Sequence, residues 1–194
     1  MNQLTIRTAT LSDRALIRSI SERTWPSTYG HIISQEQIDF MLDWMYSDAS
    51  LEKQMNTGCE FYIASIKKEN EQWDDVGFCS VGPEEEVKEE EEDDDDDEKE
   101  DNSSTEKAEG VKSHKLNKLY VLPLAQGTGT GKALLVKAIE FAKAAGSSSI
   151  FLQVNKHNDA YSFYLKHGFI KEAEFKFDIG NGFYMDDYVM RLTF

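Results

Sequence analysis

Cysteine is scarce in this sequence. The 194 residues contain two, Cys59 and Cys79, widely spaced and without a metal-ligand pattern around them. That excludes a disulfide framework and points to buried free thiols in a reduced compartment. Long apolar runs are missing too, so no segment is expected to cross a bilayer. The opening "MNQLTIRTATLSDR" lacks the apolar stretch of a secretory signal and looks like a strand entering a helix. An intracellular, cytoplasmic protein is expected. The four histidines, His31, His114, His157 and His167, show no metal-site spacing, and no metal is expected. No internal repeat is found.

What the chain has in excess is acid, but in one place. Residues 84–110, "EEEVKEEEEDDDDDEKEDNSSTEKAEG", hold 17 acids and 3 lysines, a net of −14 out of −15. The rest keeps 19 of the 36 acids and 18 of the 21 bases, so it is nearly neutral. With only Val87 and Ala108 apolar, the segment cannot bury enough surface to offset its ordering entropy. It is expected to be a disordered insertion within a single domain spanning 1–194. Its plain role is a solvated surface loop. Its sharper role is to attract cationic substrates or a basic partner.

The remaining pattern alternates strand and helix. "QLTIRT" has strand period. A helix from Ser12-Asp13 to about Thr24 is expected to be broken by Pro26. "SQEQIDFMLDWMY" follows, with Ser34 and Gln37 placed as a capping box, then a short helix over 48–56. "FYIASIKK", "WDDVGFCSVG" and "HKLNKLYVLP" read as strands, with the acidic insertion between the last two. A helix to about Ala145 presents Leu134, Leu135, Ala138, Ile139, Phe141 and Ala142 on one face. "SIFLQVN" is a strand, "DAYSFYLKHG" a short helix, and two strands flank the turn "GNG". The order predicts an α/β domain with a mixed, mostly antiparallel twisted sheet. Helices lie on both faces, and there is one parallel crossover around a glycine-rich loop.

That loop, "AQGTGTGKALL" (125–135), lies between a strand and a helix. A triphosphate P-loop would need glycine at Gln126 and a hydroxyl at Ala133, and has neither. A dinucleotide fingerprint fails because its third glycine falls on Lys132 or Leu134. The pattern Gln126-Gly127-Thr128-Gly129-Thr130-Gly131 instead fits Q/R-x-x-G-x-G/A. Physically, successive amides and a helix N-terminus favour an anion there, and glycines let backbone approach it.

At these residues the sequence resembles the GCN5-related N-acetyltransferase superfamily. "VNKHNDAYSFYLKHGF" (154–169) matches the second signature of that family through Asn158, Ala160, Phe163-Tyr164 and Gly168-Phe169. The interval from Asn158 to Tyr164 is one residue shorter than the commonest form, which puts Asn155 beside Asn158 as a candidate. The opening and closing segments look like a bacterial-type branch near the polyamine and small-amine acetyltransferases.

The resemblance implies acetyl-CoA as co-substrate. Gln126, Gly127, Thr128, Gly129, Thr130, Gly131 and Lys132 would hold its pyrophosphate, with hydroxyls from the two threonines. Leu119, Tyr120 and Val121 would hold its arm as an added strand, and Asn158 would orient that arm. Tyr164 would be the general acid. The residues also allow plainer roles, core packing for Tyr164 and helix capping for Asn158. No carboxylate lies on "HKLNKLYVLP", so the base is unassigned. Asp186 and Asp187 are expected mainly as a solvated or paired face, and Trp25, Tyr29 and Trp44 as acceptor-pocket candidates. The implied reaction moves an acetyl group to a primary amine, of a small amine or polyamine. The alternatives are a protein or peptide acceptor, or a silent CoA-binding interaction module. Neither nucleic acid nor membrane is expected as a partner, and a homodimer is left open.

Overall fold

The computed structural model describes residues 3–84 and 113–194. The elements, in chain order, are β1 (Leu4–Thr8), α1 (Arg14–Tyr29), α2 (Gln35–Tyr46), α3 (Asp48–Asn56), β2 (Glu60–Lys67), β3 (Trp73–Pro83), β4 (Ser113–Val121), α4 (Thr130–Ala144), β5 (Ser149–Asn155), α5 (Ala160–Lys166), β6 (Ile170–Gly180) and β7 (Phe183–Thr193). They build one seven-stranded sheet in the order β1-β2-β3-β4-β5-β7-β6. Every neighbouring pair is antiparallel except β4–β5, the expected parallel crossover.

Alternation along β3 shows how the layers form. Phe78 packs edge-on against Tyr46 of α2. Its neighbour Cys79 points to the other face, where its thiol lies 3.5 Å from the Leu134 carbonyl of α4. One strand therefore holds a helical layer on each side. Ile17, Ile20, Ile38 and Leu51 fill the first layer, and Leu134, Leu135 and Ala138 the second, all essentially inaccessible. Cys59 and Cys79 form no disulfide, and burial pushes the Cys79 thiol well above its ordinary range.

Two local expectations need correction. Pro26 does not end α1, which continues to Tyr29. The missing proline N–H leaves one helix bond unmade, but the following turn is closed by Gly30 N–H to Pro26 O at 3.0 Å. Trp25 beside it is fully buried, so packing holds the helix through the defect. The capping box of α2 is only half made. Ser34 Oγ accepts from the Gln37 amide at 3.2 Å, whereas Gln37 Nε2 donates to Tyr184 O of β7 at 2.7 Å. The glutamine ties α2 to the terminal hairpin instead of closing its own helix.

Residues 85–112 lie outside the described residues, and with them lie all of the acidic segment 84–110 but Glu84, and the expectation that it is disordered. The residues that flank 85–112 are adjacent: Pro83 pairs with His114, and Glu84 N–H donates to Ser113 O at 3.1 Å. A short Gly/Ser turn replacing 85–112 is therefore expected to join β3 and β4 as an ordinary hairpin. Since loop length alters closure entropy only slowly, the melting temperature should stay within about 5 °C. A larger fall in a thermal melt would show that the segment packs on the domain.

Candidate active site

The parallel pair β4–β5 is in register over only three residues, Ser113 to Lys115 opposite Ser149 to Phe151. Beyond that the strands part. The gap becomes a cleft of about 590 Å³, bordered by β4, β5, the end of α1, the glycine turn and α5. Leu122 N–H donates to Val76 O of β3 at 2.8 Å. Alternation then aims the amides of Leu119 and Val121 away from β3, into the cleft. Such unpaired strand edges accept an extended ligand by main-chain bonding.

The glycine turn closes one end. Gly127 and Gly129 have φ of +75° and +91°, and a Cβ at either would meet nothing within 4 Å. The turn thus exposes bare backbone toward open space, with the N-terminus of α4 behind it. Gln126 Nε2 donates to Val121 O at 3.1 Å and pins the turn to the strand. The threonine hydroxyls do not face outward as expected. Thr128 Oγ1 donates to Ala125 O at 2.6 Å and lies 2.8 Å from Thr130 Oγ1, and Thr130 is buried. Neither threonine borders the cleft. Their side chains brace the turn, and what they can offer a ligand is their amides. Lys132, in the first turn of α4, does border it.

Across from the turn stands α5. Tyr164 borders the cleft and is 7% exposed, with its ring edge-on to Phe163 and Phe169. Burial pushes its phenol well above the ordinary range, so it holds its proton at neutral pH. Core packing and cleft position coexist in this residue. Asn158 borders the cleft as well, and its Oδ1 accepts from Ala160 N–H at 2.9 Å, an Asx turn leading into α5, whose N-cap is Asp159 and not the expected Asn158. Asn155 Oδ1 likewise accepts from His157 N–H at 3.0 Å.

The face of β4 toward α1 is aromatic. Tyr29 and Tyr120 bring their hydroxyls to 3.3 Å, and both border the cleft. Burial raises both phenols. Trp25 lies behind them in the core, 6.1 Å from Tyr120. Trp44 does not belong to the cleft; it is half exposed and stacks on Phe40.

The two acids of β7 divide sharply. Asp186 pairs with Lys156 at 2.7 Å, as expected of a surface acid. Asp187 is 4% exposed and pairs in register with Asn155. Burial first, then the Asp186 charge, pushes its carboxyl up to about 6, against the opposing pull of Lys115, Asn155 and Lys156. Its charge is felt by the Tyr29 phenol. The residue unremarked in the sequence is Lys118, which borders the cleft although it is only 9% exposed.

This architecture has close counterparts. A model of the acetyltransferase (GNAT) domain matches residues 105–188. The structure superposes on the PaiA N-acetyltransferase from Thermoplasma acidophilum, solved in complex with coenzyme A, with a TM-score of 0.69 and 22% identity over 99% of both chains. A GCN5-related N-acetyltransferase from Rhodopseudomonas palustris gives a TM-score of 0.71 at 18% identity, over 100% of this chain and 98% of that one. The fold is that of the GCN5-related N-acetyltransferases. In sequence, the uncharacterized N-acetyltransferase YuaI of Bacillus subtilis is 27% identical over 176 residues, 91% of this chain and 86% of that protein. An uncharacterized N-acetyltransferase of Mycobacterium tuberculosis is 39% identical over 77 residues, covering 39% of this chain and 49% of its own length. No helix among the described residues is long and apolar enough to cross a membrane.

Proposed function

We propose that this protein is an acetyl-CoA-dependent N-acetyltransferase acting on the primary amine of a small molecule, a class that includes the polyamines. The observation that carries this is the pairing of an amide-lined glycine turn with a splayed strand edge in one cleft, opposite a buried, protonated tyrosine. Acetyl-CoA would supply the acyl thioester. The turn from Gln126 to Gly131, with Lys132, would hold its pyrophosphate through backbone amides and charge. The open space beside Gly127 and Gly129 fits such a group.

Within that site, the amides of Leu119 and Val121 hold an extended arm and offer an N–H to the oxygen that gains charge. Tyr120, between them, turns its phenol to the α1 side. Asn158 fixes the start of α5 and thereby the position of Tyr164. The Tyr164 phenol donates its proton to the departing thiolate. The Asp187 carboxyl receives the proton that the amine must lose, relayed by water or by the Tyr29 and Tyr120 hydroxyls. A carboxyl with its pKa raised toward neutrality suits that task.

The sign of the pH effect follows. Below about pH 6 Asp187 is protonated and cannot accept, so kcat/KM rises as pH passes through that value. Asp187→Asn should remove this acid limb and lower kcat/KM roughly tenfold, less than direct proton transfer gives because water can substitute. An unchanged limb in the variant would assign the base elsewhere.

The acidic segment 84–110 keeps a second reading in play, acetylation of a basic peptide or protein. Thiol release from acetyl-CoA with spermidine, with a short basic peptide and with no acceptor separates the two. Release with the amine supports the small-molecule reading, and release with the peptide alone replaces it. Saturable acetyl-CoA binding with no release in any of the three would favour a non-catalytic CoA-binding module.

A further inference from the structure

Three tyrosines carry a row of hydroxyls from the cleft into the core. Tyr29 and Tyr120 border the cleft, are partly exposed, and bring their hydroxyls to 3.3 Å. The Tyr120 hydroxyl also meets that of Tyr46, which is buried away from the cleft and in turn meets Ser21. At the cleft end the Tyr29 hydroxyl meets the side chain of Asn158. Burial raises all three phenols, so each keeps its proton at neutral pH.

On its own the Tyr29–Tyr120 pair can bond in either direction. The two ends of the row decide. Ser21 Oγ donates to Ile17 O at 2.9 Å, so toward Tyr46 it can only accept. Tyr46 therefore gives its one proton to Ser21, Tyr120 gives its proton to Tyr46, and Tyr29 gives its proton to Tyr120. The far end agrees. Asn158 Oδ1 is taken by Ala160 N–H, so its amino group faces Tyr29 and donates. Every O–H in the row thus points inward. A hydroxyl oxygen has two lone pairs. Tyr29 uses one on Asn158, and Tyr120 uses one on Tyr29. Each keeps one, and the two oxygens 3.3 Å apart form a pair of acceptors with no proton to offer.

Such a pair suits a nitrogen with two N–H bonds to give. A primary ammonium has three, so it can lose one proton to a base and still bond both oxygens. A secondary ammonium has two and then bonds only one oxygen. An alcohol has a single proton and, having lost it, bonds neither. The Asp187 charge, felt at Tyr29, adds to the attraction for a cation. Neither phenol proton points toward Asp187, so of the two relays named above the one through water remains.

We propose that Tyr29 and Tyr120 hold the acceptor nitrogen by these two oxygens and so select primary amines. This rests on the N-acetyltransferase reading above and assigns its acceptor specificity to named residues. The test follows thiol release from acetyl-CoA by the full chain at pH 7. n-Propylamine, phenethylamine and spermidine are each compared with the counterpart methylated once at each primary nitrogen. At least one primary amine should exceed its methylated counterpart by about 10- to 100-fold in kcat/KM, the range of one charge-assisted hydrogen bond. Crowding by the methyl group has the same sign, so the variant decides. Tyr29→Phe keeps the ring and its contact with Trp25 at 4.7 Å. It should slow the primary amine about tenfold or more and the methylated one less than about threefold, so that the ratio collapses with acetyl-CoA binding unchanged. Tyr120→Phe should narrow the ratio likewise.

A second readout does not depend on turnover. Isotope-labelled n-propylamine titrated into the full chain, followed by its own resonance, should bind about tenfold more weakly to Tyr29→Phe. Thiol release without a preference for primary amines, or with equal losses for both amines in Tyr29→Phe, overturns this inference and leaves the N-acetyltransferase reading intact. If no amine supports thiol release, that reading fails, and the titration decides the nitrogen site alone: weaker binding to Tyr29→Phe supports it, and equal or absent binding removes it.

Discussion

Replacing Gly129 by valine is expected to raise the dissociation constant for acetyl-CoA more than about 100-fold while leaving the fold in place. Gly129 has φ of +91° and immediately precedes α4, where its carbonyl accepts the first helix bond from Ala133 at 3.0 Å. A β-branched residue in that region costs on the order of 1–3 kcal/mol of strain. The turn would relax by changing φ, and its amides would lose their common aim. The new side chain would also project into the open space where the backbone now lies bare. Strain of that size alone spans about 5- to 150-fold in binding, and the blocked approach adds to it. Calorimetric titration of acetyl-CoA reads the effect, and a thermal melt checks the fold. Binding within threefold of wild type would show that the ligand does not approach this turn.

Tyr164→Phe should lower kcat by about 10²- to 10⁴-fold with acetyl-CoA binding unchanged within about threefold, the pattern of a lost proton donor. The ring remains, so its contacts with Phe163 and Phe169 remain. A packing role alone therefore predicts little change in kcat. Pre-steady-state thiol release sharpens the reading: the chemical step should slow, and a more basic leaving thiolate should suffer most. Wild-type turnover in the variant would return Tyr164 to the core.

The sequence carries the architecture well because the pieces are local. Strand alternation, the glycine spacing and the "GNG" turn each express a short-range constraint, and each appears where expected. The failures are of a different kind. Pro26 breaks an isolated helix, but Trp25 is locked between Tyr29, Tyr46 and Tyr120, and tertiary packing carries α1 past it. The outward threonines of the loop turn inward because Thr128 can reach the Ala125 carbonyl three residues back. Such local bonding is available to any threonine beside a turn, and the sequence does not show which option it takes.

The site shows the same division. Gln126 to Lys132, Leu119 to Val121, Asn158 and Tyr164 were legible as motifs, and all but the two threonines border one cleft. Lys118 was not, since a lysine in a strand reads as exposed. Its burial follows from a bulge and from α3 arriving overhead with Gln54. Asp187 was visible only as one of two neighbouring acids. Which of them is buried depends on register with Asn155, a contact made across the sheet. The cleft itself is a failure of pairing between β4 and β5 after three residues, and no single residue encodes it.

Acetyl transfer by this cleft is best tested by following binding and transfer in one sample. Acetyl-CoA is titrated into the full chain, a set of primary amines that includes spermidine is added, and the amines are then weighed by mass spectrometry. One saturable acetyl-CoA site per chain is expected, and an amine that gains one acetyl group as thiol appears in equal amount. No saturable binding, or thiol release without an acetylated amine, would contradict it.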